Sequence, residues 1–150
     1  MAIYQQGMYQ LENPDKYVGD QESIRYMSSW ELRVHQFFDR NPNILKWSSE
    51  PIGIPYVKPT TQRIHEYFVD YWVLYVDKEG MVCEEFIEVK PAAQTRPSRA
   101  RNPRTKQQQM ITYQVNQAKW NAAVRWCEEK TKVSGRNITF RILTEQEIFK

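Results

Sequence analysis

Cysteine is scarce in this sequence, with only Cys83 and Cys127 among 150 residues. The two thiols are far apart and neither belongs to a CxxC pair, so they form neither a disulfide framework nor a zinc site. Both positions fall within predicted secondary structure, in a strand and a helix. We therefore expect both cysteines to be core residues.

Long apolar runs are also missing. No segment approaches the roughly 20 apolar residues of a membrane span, and the first residues lack the basic and apolar regions of a signal peptide. We expect a cytoplasmic protein that does not contact a membrane. The aromatic fraction of 13% favours a folded chain over a disordered one. We expect residues 1–27 to form an irregular arm packed on a single domain that spans 28–150.

Acidic residues are absent between Val89 and Cys127, although this stretch contains eight basic residues. They are Lys90, Arg96, Arg99, Arg101, Arg104, Lys106, Lys119 and Arg125. Because the whole chain has a net charge of +3, the remainder has a net charge of −5. A basic segment on an acidic body is typical of a protein that binds a polyanion.

The first predicted helix runs from about Trp30 to Arg40. Ser28 followed by Glu31 has the spacing of a capping box. The predicted apolar face is formed by Trp30, Val34, Phe37 and Phe38. Asn41-Pro42-Asn43 ends the helix.

A hairpin of two strands, Tyr67–Val76 and Val82–Lys90, is the clearest β structure in the sequence. If Gly80 adopts the left-handed conformation of a three-residue loop, pairing residues sum to 158. Asp70 then faces Glu88 across the strands, on the same sheet face as Phe68, Trp72, Leu74, Phe86 and Lys90. A different turn type would separate the two acids.

The remaining elements complete an α-β-β-β-α-β order. A short strand at Ile44–Trp47 leads to an edge or extended connection over 50–57, which contains two prolines. Residues 91–104 are expected to form an exposed basic loop. A helix follows from Thr105 to about Lys130, with an apolar stripe at Ile111, Val115, Ala118, Ala122 and Trp126. A last strand alternates Ile138, Phe140 and Ile142, and Thr144 with Glu147 caps a short final helix. The fold class is α/β (α+β), a mixed sheet flanked by helices.

Two acids opposed on an apolar sheet face are disfavoured by repulsion and by burial. A divalent cation would compensate them, since Mg²⁺ is usually held by one or two carboxylates with water and phosphate oxygens. Lys90 projects from the same face and can balance charge or act on a water molecule. The alternative is a solvated face on which these three residues have no function.

Asp70 and Glu88-Val89-Lys90 resemble the motif of the PD-(D/E)xK, restriction-endonuclease-like superfamily, with Val69 in place of the usual proline. The sequence is more closely similar to the head-completion nucleases of T-even-type bacteriophages and to the endonuclease subunit of heteromeric transposases. The segments that carry this similarity are Asn13–Tyr17, Ser28–Leu32, Trp47–Glu50, Ile54–Tyr56, His65–Asp70, Ile87–Pro91, Asn116–Trp120 and Leu143–Glu145.

The resemblance implies a metal-dependent endonuclease that hydrolyses phosphodiester bonds of double-stranded DNA during phage head completion. Mg²⁺, with Mn²⁺ as a substitute, would be bound by Asp70, Glu88 and the Val89 carbonyl, with Glu31 as a further ligand, direct or through water. Lys90 would orient or help to deprotonate the attacking water. The expected DNA contacts are Arg96, Arg99, Arg101, Arg104, Lys106 and Lys119. Phage head or portal proteins are the other expected partners, in the host cytoplasm or at the phage head.

Several alternatives stay open. The protein could be a non-catalytic DNA- or portal-binding assembly factor, or a junction-resolving nuclease that would need to dimerise. Glu31 could serve only as a helix cap, and the arginines could serve only solubility. His35 and His65 lack metal-ligand spacing. Glu50 fits a turn as well as a site, and Gln109 with Tyr113, four residues apart on a helix, is a common pattern.

Overall fold

The computed structural model describes residues 6–149. The helices are α1 (Ser29–Arg40), α2 (Pro103–Ser134) and α3 (Glu145–Ile148). The strands are β1 (Gly7–Met8), β2 (Arg25–Tyr26), β3 (Ile44–Ser49), β4 (Gly53–Lys58), β5 (Arg63–Phe68), β6 (Tyr71–Val76), β7 (Val82–Val89) and β8 (Ile138–Leu143). Over residues 6–149, no helix combines the length and apolar character needed to cross a membrane.

A four-stranded mixed sheet in the order β3-β6-β7-β8 forms the centre of the fold. The β3–β6 and β6–β7 pairs are antiparallel, whereas β7 and β8 are parallel. Strands β4 and β5 form a separate antiparallel ribbon, and β1 pairs with β2. The predicted mixed sheet with flanking helices is therefore confirmed.

Two apolar clusters lie on opposite faces of this sheet. One joins α1 to β3, β6 and β7 and contains Val34, Phe38, Trp47 and Val73, together with Tyr9 and Ile24 from the N-terminal segment. The other joins α2 to the β4–β5 ribbon, β7 and β8 and contains Ile54, Tyr67, Phe86, Trp120 and Cys127. Alternation along the strands directs neighbouring side chains into different clusters. Cys83 and Cys127 are buried free thiols, as expected.

The predicted register of the β6–β7 hairpin is confirmed. Val76 pairs with Val82, and Trp72 pairs with Phe86. Gly80 has φ +80°, in the left-handed region required by the loop. The Asp77 carboxylate accepts hydrogen bonds from the backbone N–H groups of Glu79 and Met81, at 2.9 and 2.8 Å, which fixes the turn.

Gly80→Ala is expected to lower the free energy of unfolding by about 1 kcal/mol, because only glycine adopts this conformation without strain. No atom lies within 4 Å of the Cβ that alanine would add, so the cost is conformational rather than steric. Urea unfolding would measure the change. Lys78→Ala, an exposed change in the same turn, is the matched control, and equal stability of the two variants would contradict the prediction.

Two of the strand predictions are wrong. The predicted strand Tyr67–Val76 is two strands, β5 and β6, separated at Val69-Asp70. The segment over 50–57, predicted as an edge or extended connection, does contain an edge strand, since β4 pairs with β5 in a two-stranded ribbon outside the main sheet. Phe68 does not share an apolar face with Asp70 and Trp72, since it is 59% exposed. Both differences arise because the chain leaves the main sheet at Asp70.

The helices also differ in detail from their predictions. Phe37 belongs to the predicted face of α1 but is 55% exposed. Helix α2 begins at Pro103 and ends at Ser134, and a 3-10 turn at Ala92–Thr95 interrupts the predicted loop. The fully buried residues of α2 are Asn116, Trp120, Ala123 and Cys127, which form a line beside the predicted stripe. Four residues of the predicted stripe, Val115, Ala118, Ala122 and Trp126, are half-buried and pack against the cluster beneath α2, whereas Ile111 is 41% exposed. The buried surface of α2 is wider than the stripe because the helix packs on both β4 and β8.

Candidate active site

Asp70 lies where the β4–β5 ribbon diverges from the main sheet. Val69 is buried in the cluster beneath α2, whereas Tyr71 is buried in the cluster beneath α1. The Glu50 N–H donates to the Asp70 carbonyl oxygen at 2.8 Å, which extends the pairing of β3 with β6 to this point. Glu50 itself has φ +49°, so the chain turns from β3 towards β4 there. Asp70 therefore lies at the point where the β4–β5 ribbon and the main sheet separate, which we call the fork.

Asp70 and Glu88 interact at this fork, although not as the regular cross-strand pair predicted. The β6–β7 ladder ends at Tyr71 and Ile87, just before Asp70. The Asp70 carboxylate instead accepts a hydrogen bond of 2.8 Å from the Val89 N–H. Burial and then the charge of Glu88 raise the pKa of Asp70. Burial also raises the pKa of Glu88, which is 6% exposed.

Glu84, the other buried acid of β7, has both a hydrogen-bond donor and a cationic partner for its negative charge. It accepts a hydrogen bond from Trp72 Nε1 at 3.1 Å and forms an ion pair with Arg136 at 3.3 Å. Glu88 accepts a hydrogen bond from the Tyr67 hydroxyl at 3.0 Å, but forms no ion pair within residues 6–149. The pair, in which Glu88 is buried and Asp70 is half-buried, therefore has no direct cationic partner within residues 6–149, a pattern associated with functional sites.

Positive charge reaches the pair from two lysines. Lys90 counters the rise in the pKa of both Asp70 and Glu88. Lys119, on α2, acts on Glu88 in the same direction, and its ammonium lies 5.7 Å from the centre of the Tyr67 ring. Both lysine side chains are half-buried. The acids and lysines thus form one electrostatic unit.

Glu31 on α1 faces the same site. Burial is the main cause of its raised pKa, and the charges of Asp70 and Glu50 raise it further. The predicted capping box is formed only in part: Ser28 Oγ accepts from the Glu31 N–H at 3.2 Å, but Glu31 Oε2 accepts from the Met27 N–H at 2.7 Å. Glu31 therefore holds the start of α1 while its charge acts on the fork.

The donor set at the fork fits a hard cation with water ligands. Within residues 6–149, no three His, Cys, Asp or Glu side chains converge as a ready-made metal site. Two neighbouring carboxylates match the incomplete protein shell of Mg²⁺, which keeps several positions for water and phosphate, and the Val89 carbonyl follows directly after Glu88 in β7.

The predicted DNA-binding residues lie on two elements. Arg96, Arg99 and Arg101 are exposed in the loop before α2. Arg104 and Lys106, the first of which was predicted in that loop, are exposed in the first turn of α2. None of these five residues forms an ion pair with another described residue. Lys119 is separate from them, beside Glu88.

Sequence reasoning missed Tyr67 and Tyr71, which support the acids from either side of the fork. The Tyr67 hydroxyl fixes Glu88, as described above. The Tyr71 hydroxyl lies 2.6 Å from Nδ1 of the buried His35 and 3.3 Å from the Glu31 carbonyl oxygen. The only local signal was the position of two tyrosines within three residues of the acid.

A family model described as TnsA-like endonuclease N terminal matches residues 41–145, which include Asp70, Glu88 and Lys90. The chain belongs to the TnsA-like endonuclease family. It is also 36% identical over 146 residues to the head completion nuclease of Enterobacteria phage T4, with 93% of this chain and 90% of that protein covered. No solved structure gives a significant match. Family membership agrees with the restriction-endonuclease-like fold, while Glu31 lies outside the range matched by the family model.

Proposed function

We propose that this protein is a metal-dependent DNA endonuclease that hydrolyses phosphodiester bonds during phage head completion, after DNA packaging, in the infected host cell. The observation that carries the proposal is the pair of half-buried Asp70 and buried Glu88 near Lys90, because neither acid forms an ion pair with another described residue. Membership of an endonuclease family supports nuclease chemistry. The name of the phage T4 relative supports the role in head completion. A place at the phage head or portal is part of the same proposal.

Each residue of the fork has a distinct role in this mechanism. Asp70, Glu88 and the Val89 carbonyl would hold Mg²⁺ or Mn²⁺, with Glu31 as a ligand either directly or through water. The bound ion supplies Lewis acidity towards the phosphate and the attacking water. The Val89 N–H orients the Asp70 carboxylate, and the Tyr67 hydroxyl orients that of Glu88. Lys90 orients the attacking water and offsets the negative charge that develops on the phosphate.

The exposed basic residues would bring the DNA backbone to the fork. Phosphate contacts position a protein on DNA without reading its sequence. The part of the chain that the structure describes shows no short helix with base-reading side chains projecting from the basic segment. Cutting directed by DNA structure follows from this arrangement.

Cleavage assays test the catalytic proposal. Linear, nicked and branched DNA would be incubated with wild-type protein, Lys90→Ala and Lys132→Ala, with Mg²⁺, Mn²⁺ or EDTA. Wild type and the exposed control Lys132→Ala should cut only with metal, and Lys90→Ala should be strongly impaired. If wild type never cuts, the protein is a non-catalytic DNA- or portal-binding factor. Preference for four-way branched DNA by a dimer would instead indicate a junction-resolving nuclease.

Replacing Arg99 and Arg101 by alanine should weaken binding to all duplexes alike, because these side chains would neutralise phosphates. The slope of log K against log salt concentration should become shallower by about 0.9 for each phosphate that the variant no longer neutralises. Fluorescence anisotropy in EDTA over a range of salt concentrations measures both quantities. Arg33→Ala with Arg125→Ala, exposed changes outside the segment 96–106, is the charge-matched control, and an unchanged slope for Arg99 and Arg101 would exclude phosphate contacts there.

A further inference from the structure

A cavity of about 400 Å³ opens next to the fork, between α2 and the segment that follows β7. Its wall includes Pro91, which directly follows Lys90, and Asn116, which lies one helical turn before Lys119. The volume falls within the range of pockets that bind small ligands. Arg96 lies at the same cavity and is exposed. The cavity thus lies between the acidic fork and the basic segment.

Asn116 is the unusual residue of this cavity. The residue is 6% exposed, and no residue in the range 6–149 forms a hydrogen bond with its amide. The amide atoms are not among the fully enclosed unpaired atoms, so they are accessible from the cavity. An amide that opens only into a cavity is available to a ligand there, because the protein itself uses none of its hydrogen-bonding groups. Because an amide both donates and accepts, the ligand that would satisfy it must also offer both kinds of group.

The neighbouring side chains extend this pattern. Gln109 uses its carbonyl oxygen to accept a hydrogen bond of 2.6 Å from Ser98, which leaves its amide N–H groups available. Tyr113, half-buried in the same wall, offers an aromatic face. The residues that line the cavity include no acid. Amide edges beside an aromatic ring are suited to a planar heterocycle with donors and acceptors on its edge.

From these observations we infer that the cavity binds one unpaired nucleobase of the DNA substrate, an inference that rests on the proposed nuclease function. A phosphate would accept from the Asn116 amide but would leave its carbonyl oxygen without a donor, so it fits less well. A base in a duplex has its pairing edge occupied, whereas an unpaired base can present that edge to Asn116 and Gln109. Tyr113 stacks on the base, and Arg96 contacts the adjacent phosphate.

Forked DNA with a single-stranded arm tests the inference. A single abasic site would be placed at successive positions of the arm, and dissociation constants would be measured by anisotropy in EDTA, where no cleavage occurs. For wild type, one abasic position should weaken binding about 10-fold. Asn116→Ala should reduce that difference to less than about 2-fold, while Gln114→Ala, an exposed change on the same helix outside the cavity, should retain it.

Gln109→Ala should act like Asn116→Ala, and because Gln109 is exposed it keeps the test valid if the buried change destabilises the fold. If wild type binds all the abasic DNA substrates equally well, the inference is overturned. If Asn116→Ala weakens the binding of every DNA substrate to the same extent, the inference is also overturned, because this result would indicate a phosphate in the cavity. Cleavage of fully paired DNA by wild type is measured separately, so the nuclease proposal can stand while the base site fails. If wild type binds no DNA at all, both fail.

Discussion

Asp70→Asn is expected to abolish DNA cleavage and, in the same protein, to raise the melting temperature measured without metal. A bound metal ion supplies several kcal/mol of transition-state stabilisation, so loss of its ligand should reduce the rate by roughly 10³-fold or more. The gain in stability has a different cause. Burial and the charge of Glu88 raise the pKa of Asp70, so its ionised form destabilises the folded state at neutral pH.

Asparagine keeps the shape of the side chain and can still accept from the Val89 N–H, but it does not repel Glu88. Relief of one like-charge contact is worth up to about 1 kcal/mol, or roughly 2–4 °C for a chain of this size. Cleavage rates and thermal melts in EDTA and in Mg²⁺ measure the two effects. Mg²⁺ should raise the melting temperature of wild type but not that of Asp70→Asn.

Glu129→Gln, which removes an exposed acid on α2, is the matched control and should leave both measurements unchanged. A variant that cuts as fast as wild type would remove Asp70 from the site. If Asp70→Asn is less stable than wild type without metal, the repulsion between Asp70 and Glu88 is already relieved in the wild-type protein. A substitution that raises stability and abolishes activity is typical of a charged residue that is retained for function.

The hairpin register could be predicted because its determinants are local. Gly80 selects the loop, the loop fixes the pairing, and alternation then assigns Trp72 and Phe86 to the same face. The approach of Asp70 to Glu88 followed from that register. The detail was wrong because the strand ends at Tyr71, where β5 pairs with β4 instead of with the main sheet. The pairing of β5 with β4 depends on contacts between residues that are distant in sequence, which a local pattern does not show.

The supporting residues could not be predicted for the same reason. The bond between Tyr67 and Glu88 exists only because the strand breaks at Val69-Asp70, which changes the direction of the side chains that precede it. In α2, two adjacent lines of residues have helical spacing, and only packing on β4 and β8 decides that Asn116 is buried. Sequence periodicity identified the helix and a stripe that packs against the core, but not the fully buried line of residues beside that stripe.

His35 should make the protein sensitive to acid, and its surroundings explain why. The ring is 1% exposed and contacts the rings of Tyr9, Trp47 and Tyr71. Nε2 lies 2.9 Å from the Arg25 carbonyl oxygen, which can only accept, so Nε2 carries the proton of the neutral ring. Nδ1 then accepts from the Tyr71 hydroxyl. Burial lowers the pKa of His35 to about 4, from 6.5.

A lowered pKa means that the unfolded chain binds a proton at His35 before the folded chain does. The stabilisation from the neutral ring is complete above pH 6.5 and is lost as the pH falls towards 4. The total is about 3 kcal/mol, since each pH unit in this window is worth about 1.4 kcal/mol. Asp70, Glu88 and Glu31 act in the opposite direction, because their pKa values are raised and acid relieves their repulsion.

Comparison with His35→Phe separates these opposing effects, since both proteins contain the same carboxylates. Phenylalanine cannot titrate but removes the hydrogen bonds of His35 with the Arg25 carbonyl and the Tyr71 hydroxyl, so the variant should be about 1–3 kcal/mol less stable at pH 7.5. Between pH 7.5 and 4.5, urea unfolding should show wild type losing roughly 2–3 kcal/mol more than the variant. Parallel losses would mean that His35 is protonated in the folded protein. Because Tyr71 links this ring to Glu31 on one side and follows Asp70 in sequence, protonation of His35 would loosen the fork itself.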